Sequence, residues 1–346
     1  MKALIAMSGG VDSSVAAYLT AKKGYECTGC TMRLYDEEST CCSVNDVEDA
    51  RSVANRLSMD YYVFNMTEAF KEKVIDSFCD CYMKGITPNP CIECNCHIKF
   101  NALLKKAESL GMDKIVTGHY ALIEEKGGVF YLKMASDPLK DQSYVLYRMT
   151  QKELSKTLFP LGGMPKEETR KIALEHGFIN AHKKDSQDIC FVPDGDYASV
   201  IERYKGYVST PGDFVRRDGT VIGKHKGIIH YTVGQRRGLG IAYTESLYVL
   251  QIKPESNEVV LGTVDELFTD RLSAHNSSFT LPQIPKKGDR VSVRVRYHAP
   301  LVEATIEDIS DDCFTLLFDK PQRAVTPGQA AVLYDNDIVL GGGIID

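Results

Sequence analysis

The sequence predicts an α/β fold: a parallel-sheet N-terminal domain followed by a small β-rich middle domain and a C-terminal β-barrel. Three observations carry this. Short apolar runs alternate with helical patterns through the first half, and that order implies parallel strands joined by crossover helices on both faces. After Tyr204 helical periodicity becomes scarce, and turn signals such as Pro211-Gly212-Asp213, Arg217-Asp218-Gly219 and Gly238-Leu239-Gly240 punctuate short β-rich runs. No internal repeat or low-complexity segment interrupts either texture.

Taken in order, Ala3–Met7 reads as a buried strand and Ser13–Lys23 as a helix closed by Gly24. Tyr25–Leu34 is a second strand, and Val44–Leu57 a helix capped by Ser43 or Asn45. Tyr61–Met66 is a third strand, Glu68–Lys84 and Ile98–Leu110 are helices, and Lys114–Gly118 is a fourth strand. Domain limits are expected at 1–205, 206–272 and 273–346, the barrel strands being 292–297, 303–309, 314–318, 330–334 and 338–344.

Composition narrows the class. The 346 residues are 43% hydrophobic and 25% charged, as in a soluble enzyme. Apolar runs such as Ala3–Met7 are too short to cross a bilayer and no cleavable signal pattern opens the chain, so a cytoplasmic address and no membrane partner are expected, with a monomer as the expected state. Eleven cysteines, an odd count in a reducing compartment, argue against a disulfide framework. Cys27, Cys30 and Cys313 read as apolar fillers, and Cys41-Cys42 as incidental, whereas Cys79-x-Cys81 and Cys91-x-x-Cys94-x-Cys96 invite a chemical reading. The net charge of -6 opposes unspecific nucleic-acid affinity. Two basic clusters in the second half nevertheless point to a polyanionic partner: Arg216, Arg217, Lys224, Lys226, Arg236 and Arg237, then Lys286, Lys287, Arg290, Arg294 and Arg296.

The first strand runs directly into Ser8-Gly9-Gly10-Val11-Asp12-Ser13-Ser14 and then a helix. Two glycines let backbone approach an anion, and the unpaired amides of the helix start hold its oxygens. The Gly-Lys-Ser/Thr ending of a Walker loop is absent. The segment resembles the pyrophosphate loop (PP-loop) of ATP pyrophosphatases, which cleave ATP between its α and β phosphates. Asp12 is the candidate carboxylate for Mg²⁺ on the pyrophosphate.

Cys91 and Cys94 lie in Thr87-Pro88-Asn89-Pro90-Cys91-Ile92-Glu93-Cys94-Asn95, a two-proline loop just ahead of the helix expected at Ile98. A cysteine near a helix N-terminus is enriched in the nucleophilic thiolate. Further on stands Asp185-Ser186-Gln187-Asp188-Ile189-Cys190-Phe191. The three segments, in this order, resemble those of the bacterial tRNA-specific 2-thiouridylases. The likeness extends over essentially the whole chain, including Gly234-Gln235-Arg236-Arg237-Gly238-Leu239-Gly240 and Thr326-Pro327-Gly328-Gln329-Ala330-Ala331.

What the resemblance implies is specific. ATP would be bound by Ala6, Met7, Ser8, Gly9, Gly10, Val11, Asp12, Ser13, Met32 and Gly118. Cys94 would be the nucleophile and Cys190 the persulfide carrier. Asn89, Pro90 and Cys91 would line the target-base pocket, while His119, Lys140, Asp141, Gln142, Arg296, Tyr297 and Gln329 would contact tRNA. The implied reaction is 2-thiolation of the wobble uridine in tRNAs for Lys, Glu and Gln. Adenylation activates the C2 oxygen, and sulfur arrives from a cysteine desulfurase or relay proteins. Cys94 either attacks the ring or reduces the persulfide, and a Cys94–Cys190 disulfide remains to be reset. An iron–sulfur cluster on Cys91, Cys94 and Cys190 is the alternative sulfur chemistry, since relatives with Asp in place of Cys91 leave that residue's role open. Zinc on Cys79, Cys81, Cys91 and Cys94 is a structural alternative. Among rivals, 4-thiouridine synthases carry an RNA-binding extension ahead of the loop, for which Ser8 leaves no room. Amidating synthetases lack the paired cysteines. A non-catalytic, metal-sensing RNA-binding protein would not cleave ATP.

Overall fold

The computed structural model describes residues 1–35, 44–183, 189–192 and 194–346. Five parallel strands, β1 (Lys2–Ala6), β2 (Glu26–Arg33), β3 (Asp60–Asn65), β4 (Lys114–Val116) and, later in the chain, β7 (Thr157–Leu158), form the first sheet in the order β3-β2-β1-β4-β7. The order reverses between β1 and β4, and a crevice at such a switch point is where open α/β sheets take ligands. Helices α1 (Val11–Lys22) and α2 (Val44–Arg56) are the first two crossovers. Asn45 lies inside α2 and is not its cap, and Ser43, like Cys41 and Cys42, lies outside the described residues.

The helix expected from Glu68 runs from Thr67 to Met83, with a π-helical stretch at Lys71–Ile75. The helix expected at Ile98 begins instead at Pro90, so the cysteines expected to precede it stand in its first turns. The reason is local: Asn89 accepts the Cys91 amide at 3.1 Å as N-cap, and Pro90 occupies the first helical position, where its missing N–H costs nothing. A nine-residue π-helix, Cys94–Ala102, follows.

Besides β7, the strands additional to those expected include β5 (Leu122–Lys126) and β6 (Val129–Lys133), a hairpin turned by Gly127-Gly128 with both glycines at positive φ. The middle sheet comprises β8 (Gly212–Val215), β9 (Val221–His225), β10 (Tyr248–Lys253) and β11 (Glu258–Gly262), ordered β10-β11-β8-β9. The barrel comprises β12 (Phe268–Phe279), β13 (Arg290–Arg294), β14 (Val302–Ile309), β15 (Cys313–Arg323), β16 (Ala330–Asp335) and β17 (Ile338–Ile345), closed by the β12–β17 pairing. The twelve-residue β12 runs through residue 272, so the barrel's first strand starts inside the segment read as the middle domain. Strand β17 also pairs with β6, which carries the hairpin of the first domain onto the barrel.

The interior follows these joints. One core cluster combines Leu4, Phe100, Leu132 and Tyr144 with barrel residues Ala330, Val332, Tyr334 and Val339. Another combines Phe70, Phe78, Cys94 and Phe191 with middle-domain Phe214 and Val249. No helix among the described residues is long and apolar enough to cross a membrane. Of the three cysteines read as fillers, Cys30 is fully buried and Cys27 half-buried, their thiols pushed up by burial, Cys27 to about 11. Cys313 is exposed on β15, because it falls on the outward phase of that strand's alternation.

Candidate functional site

Strand β1 delivers Ala6 and Met7 to its carboxyl end, and the loop Ser8-Gly9-Gly10 turns at once into α1. Gly9 sits at φ +73°, and a Cβ there would collide with the carbonyl oxygen of Asp46 in α2. Gly10 caps α1 with extended backbone and no side-chain bond, leaving the first-turn amides to an incoming acceptor. Hydroxyls brace the turn from within: the Ser8 amide donates to Ser13 Oγ at 3.1 Å, and Ser13 Oγ donates to Gly10 O at 3.0 Å. Met7 and Val11 side chains are buried, so any contribution they make to a bound phosphate comes from backbone. Gly118, past β4, packs so closely that a Cβ would lie 2.7 Å from the Ser13 nitrogen. Met32, near the end of β2, is partly buried against two core clusters.

Asp12 faces this loop. Its Oδ1 accepts from the Tyr120 hydroxyl at 2.9 Å and from Lys166 Nζ at 2.6 Å. Asn180 donates to Gly9 O at 3.0 Å and to Ser14 Oγ at 2.9 Å, and Lys183 reaches Gly9 O as well as Asp46 and Asp49. Sequence reasoning missed Tyr120, Lys166, Asn180 and Lys183 as neighbours of the loop. No spacing signals them, because they arrive from up to 174 residues away. One carboxylate at a glycine-lined phosphate cradle fits magnesium carried in on a nucleotide, which keeps most of its ligands from phosphate and water.

The cysteine region is built differently. Cys91 is exposed, Cys94 is buried against Phe78 and Phe191, and half-buried Cys190 packs on that same cluster. Glu93 anchors the helix beside them, accepting from Arg148 at 2.7 Å and pairing with His97 at 3.1 Å. The barrel holds the loop from the other side. Thr87 N donates to Pro327 O at 2.9 Å, Gln329 Nε2 donates to Thr87 O at 2.9 Å, and a Cβ on Gly328 (φ +88°) would lie 3.0 Å from the Thr87 backbone. Pro90 is buried and Asn89 half-buried. Among the described residues no three His, Cys, Asp or Glu side chains converge to hold a metal. That arrangement does not fit a cluster on Cys91, Cys94 and Cys190, nor zinc on Cys79, Cys81, Cys91 and Cys94. Residues 185–188 of the Cys190 motif lie outside the described residues.

The expected RNA contacts fall into two groups. Exposed Arg296, half-buried Lys140, Gln142, Tyr297 and Gln329, and Cys91 are accessible; Tyr297 bonds to Gln142 and feels Cys91, and burial pushes its hydroxyl up to about 12. His119 and Asp141 are interior. His119 lies between the rings of Phe100 and Phe159, 2.7 Å from Thr117 Oγ1, and burial, aided by Lys99, holds it well below the usual histidine range. Asp141 accepts from Arg294, Ser143 and the Ala135 amide. Arg294 is therefore an internal ion and leaves the second basic cluster, as does Arg290 to some degree through its bidentate pair with Asp319. In the first cluster Arg216 and Arg217 meet Glu266 and Lys224 meets Asp213, whereas exposed Lys226, Arg236 and Arg237 have no ion pair among the described residues.

Three known domain families match in series: the tRNA methyl transferase HUP domain over residues 1–194, the tRNA methyl transferase PRC-barrel domain over 199–263 and the aminomethyltransferase beta-barrel domain over 269–345. The tRNA-specific 2-thiouridylase MnmA of Lachnoclostridium phytofermentans is 48% identical over 353 residues, covering 99% of each chain. That of Clostridium acetobutylicum is 48% identical over 351 residues, again 99% of each. A solved 4-thiouridine synthetase–RNA complex with bound ATP overlaps 59% of this chain and 50% of its own at 23% identity and a TM-score of 0.36, too loose to bear on activity. Near-half identity over 99% of each chain places this one in the family of tRNA-specific 2-thiouridylases.

Proposed function

We propose that the protein is a cytoplasmic sulfurtransferase that uses ATP to replace the C2 oxygen of the wobble uridine of tRNA with sulfur, the tRNAs for Lys, Glu and Gln being its substrates. Family membership is the observation that carries this reading. The geometry supports it by setting a phosphate cradle in the same domain as Cys94 and Cys190.

The uridine C2 oxygen is a poor leaving group. In the first step it attacks the α-phosphorus of ATP, the bond to the β-phosphate oxygen breaks, pyrophosphate leaves, and the ring N3 proton is lost to solvent. The backbone of Ser8–Ser13 and Gly118 holds the phosphates, Met32 borders the nucleotide, and Asp12 would hold magnesium, which would supply charge compensation when bound. In the second step sulfur from a Cys190 persulfide bonds to C2 and AMP departs. Cys94 takes up the inner sulfur, either after attacking the ring or by reducing the persulfide first, and the resulting Cys94–Cys190 disulfide is reset by an external thiol. A cysteine desulfurase or relay protein reloads Cys190. Asn89, Pro90 and Cys91 line the base pocket; Lys140, Gln142, Arg296, Tyr297 and Gln329 meet the RNA, and buried His119 and Asp141 support them from beneath.

Nucleoside analysis of tRNA incubated with the protein, ATP and a persulfide source tests this. 2-Thiouridine at the wobble position with tRNA-dependent pyrophosphate release is expected, and unmodified tRNA with no pyrophosphate would overturn it.

A further inference from the structure

The crevice between β1 and β4 has two walls. The phosphate loop leaves the carboxyl end of β1 on one side, and Thr117-Gly118-His119 leaves the carboxyl end of β4 on the other. Such a place, where the strand order reverses, is where a parallel sheet takes its ligand. Gly118 packs directly against the Ser13 nitrogen, so the second wall touches the first. His119 comes next, and its Nε2 stands 3.4 Å from Lys99 Nζ. Lys99 belongs to the π-helix Cys94–Ala102, one π-helical turn beyond Cys94. Its ammonium therefore joins the nucleotide wall to the helix that carries the thiol.

What holds Lys99 there is an uncharged group. Buried His119 is neutral, because burial, aided by the neighbouring ammonium, holds it well below the usual histidine range. An ammonium has only donors, so Nε2 accepts from Lys99 and the ring proton sits on Nδ1, which donates to Thr117 Oγ1 at 2.7 Å. The imidazole orients the ammonium without cancelling its charge. The other cations of the region meet carboxylates: Lys166 meets Asp12, Lys183 meets Asp46 and Asp49, and Arg148 meets Glu93. Among the described residues no carboxylate pairs with Lys99, and the residue is only half-buried.

Building on the proposed ATP chemistry, we infer that Lys99 is a catalytic residue that contacts the α-phosphate, the phosphate shared by ATP, the adenylated uridine and AMP. In the first step, attack by the uridine oxygen gathers negative charge on the α-phosphate oxygens. In the second, sulfur bonds to C2, the C2–O bond breaks, and its electron pair leaves on the oxygen carried by AMP. A fixed ammonium facing those oxygens stabilises both transition states, and Lys99 gives up no proton in either. His119 orients the ammonium from beneath.

The test compares the affinities of AMP, magnesium–ATP and inorganic pyrophosphate for the full-length protein and its Lys99→Gln and Lys99→Arg variants. The glutamine amide keeps a donor for His119 and removes only the charge. Lys99→Gln should weaken AMP and ATP roughly 10- to 100-fold, the scale of one charge-assisted contact, and leave pyrophosphate, which has no α-phosphate, within about twofold. Lys99→Arg should recover most of the AMP affinity, which a misfolded variant would not allow. Equal losses for AMP and pyrophosphate, a loss confined to pyrophosphate, or no loss at all would overturn the inference. AMP affinity that depends on Lys99 in a protein that never adenylates tRNA would uphold the inference and sink the thiolation reading instead.

Discussion

The phosphate loop and the cysteine loop are held in opposite ways. The phosphate loop is a strand, a turn and a helix in immediate succession, braced by serines within the turn and by Lys166 and Asn180 of its own domain. The cysteine loop begins a helix whose first turns carry Cys91 and Cys94, and its approach is fixed by a turn of the barrel 242 residues later. The chain thus builds its activating half within the first domain and its sulfur half by assembly with the barrel. Damage to the barrel should therefore reach the sulfur chemistry and spare nucleotide activation.

The largest test of that division lies in the thiols. Cys94→Ser and Cys190→Ser should each lower thiolation by at least about 10³-fold while tRNA-dependent pyrophosphate release stays within roughly twofold. Cys190→Ser alone should never gain persulfide mass. Loss of pyrophosphate release in either variant would erase the distinction between the two halves. Next comes the clamp. Gly328→Ala forces a side chain into positive φ against Thr87 and Ile86, and should cost about 2–3 kcal/mol of stability in denaturant melts, with thiolation falling more than ATP affinity. Gln329→Ala should cost only about 1 kcal/mol, visible as a lower kcat with unchanged ATP affinity; a matching loss of ATP affinity would mean the barrel also shapes the phosphate side.

These contrasts track what the residues disclose in order. Helix α1 begins at Val11 rather than at the expected Ser13, while the strand runs and most barrel strands are legible from periodicity. The start at Pro90 is written as Asn-Pro, a cap and a first-turn proline, yet the apolar pattern beginning at Ile98 is the stronger signal and masks it. The hairpin at 122–133, not among the expected elements, has only Gly127-Gly128 as a local sign, because its strands do not alternate, and nothing local marks its destination on the barrel. Arg294 reads as one more surface cation, because the carboxylate that draws it inside lies 153 positions away. Lys166 is silent for the same reason. Local signals name elements, and the partners of buried charges come only with the fold.

A smaller effect is expected at the exposed arginines. Arg236→Ala combined with Arg237→Ala should weaken tRNA binding across isoacceptors and lower the salt slope by about one unit for each phosphate no longer engaged. An unchanged slope would make them ordinary surface charges and move the RNA footprint toward the cysteine side. The smallest concerns His119. Its folded form resists protonation, so below the ordinary histidine value of 6.5 the unfolded chain takes up the proton first and stability falls as pH falls. His119→Asn should remove that loss, at most about 1.4 kcal/mol per pH unit, in unfolding measured from pH 7 down to about 5. An unaltered pH profile would show that the ring titrates normally.

The joint between β6 and β17 has a bearing on biogenesis. The hairpin of the first domain, and the cluster of Leu132 and Tyr144 beneath it, are covered by barrel strands that come far later in the chain. Thr87 waits for Pro327 and Gln329 in the same way. During synthesis the nascent first domain keeps an apolar wall uncovered until the barrel strands have been made, and that wall is a surface for chaperones to shield. Thiol chemistry is in this sense gated by formation of the barrel: a product that stops short of it can carry the nucleotide fold, yet not a seated cysteine loop.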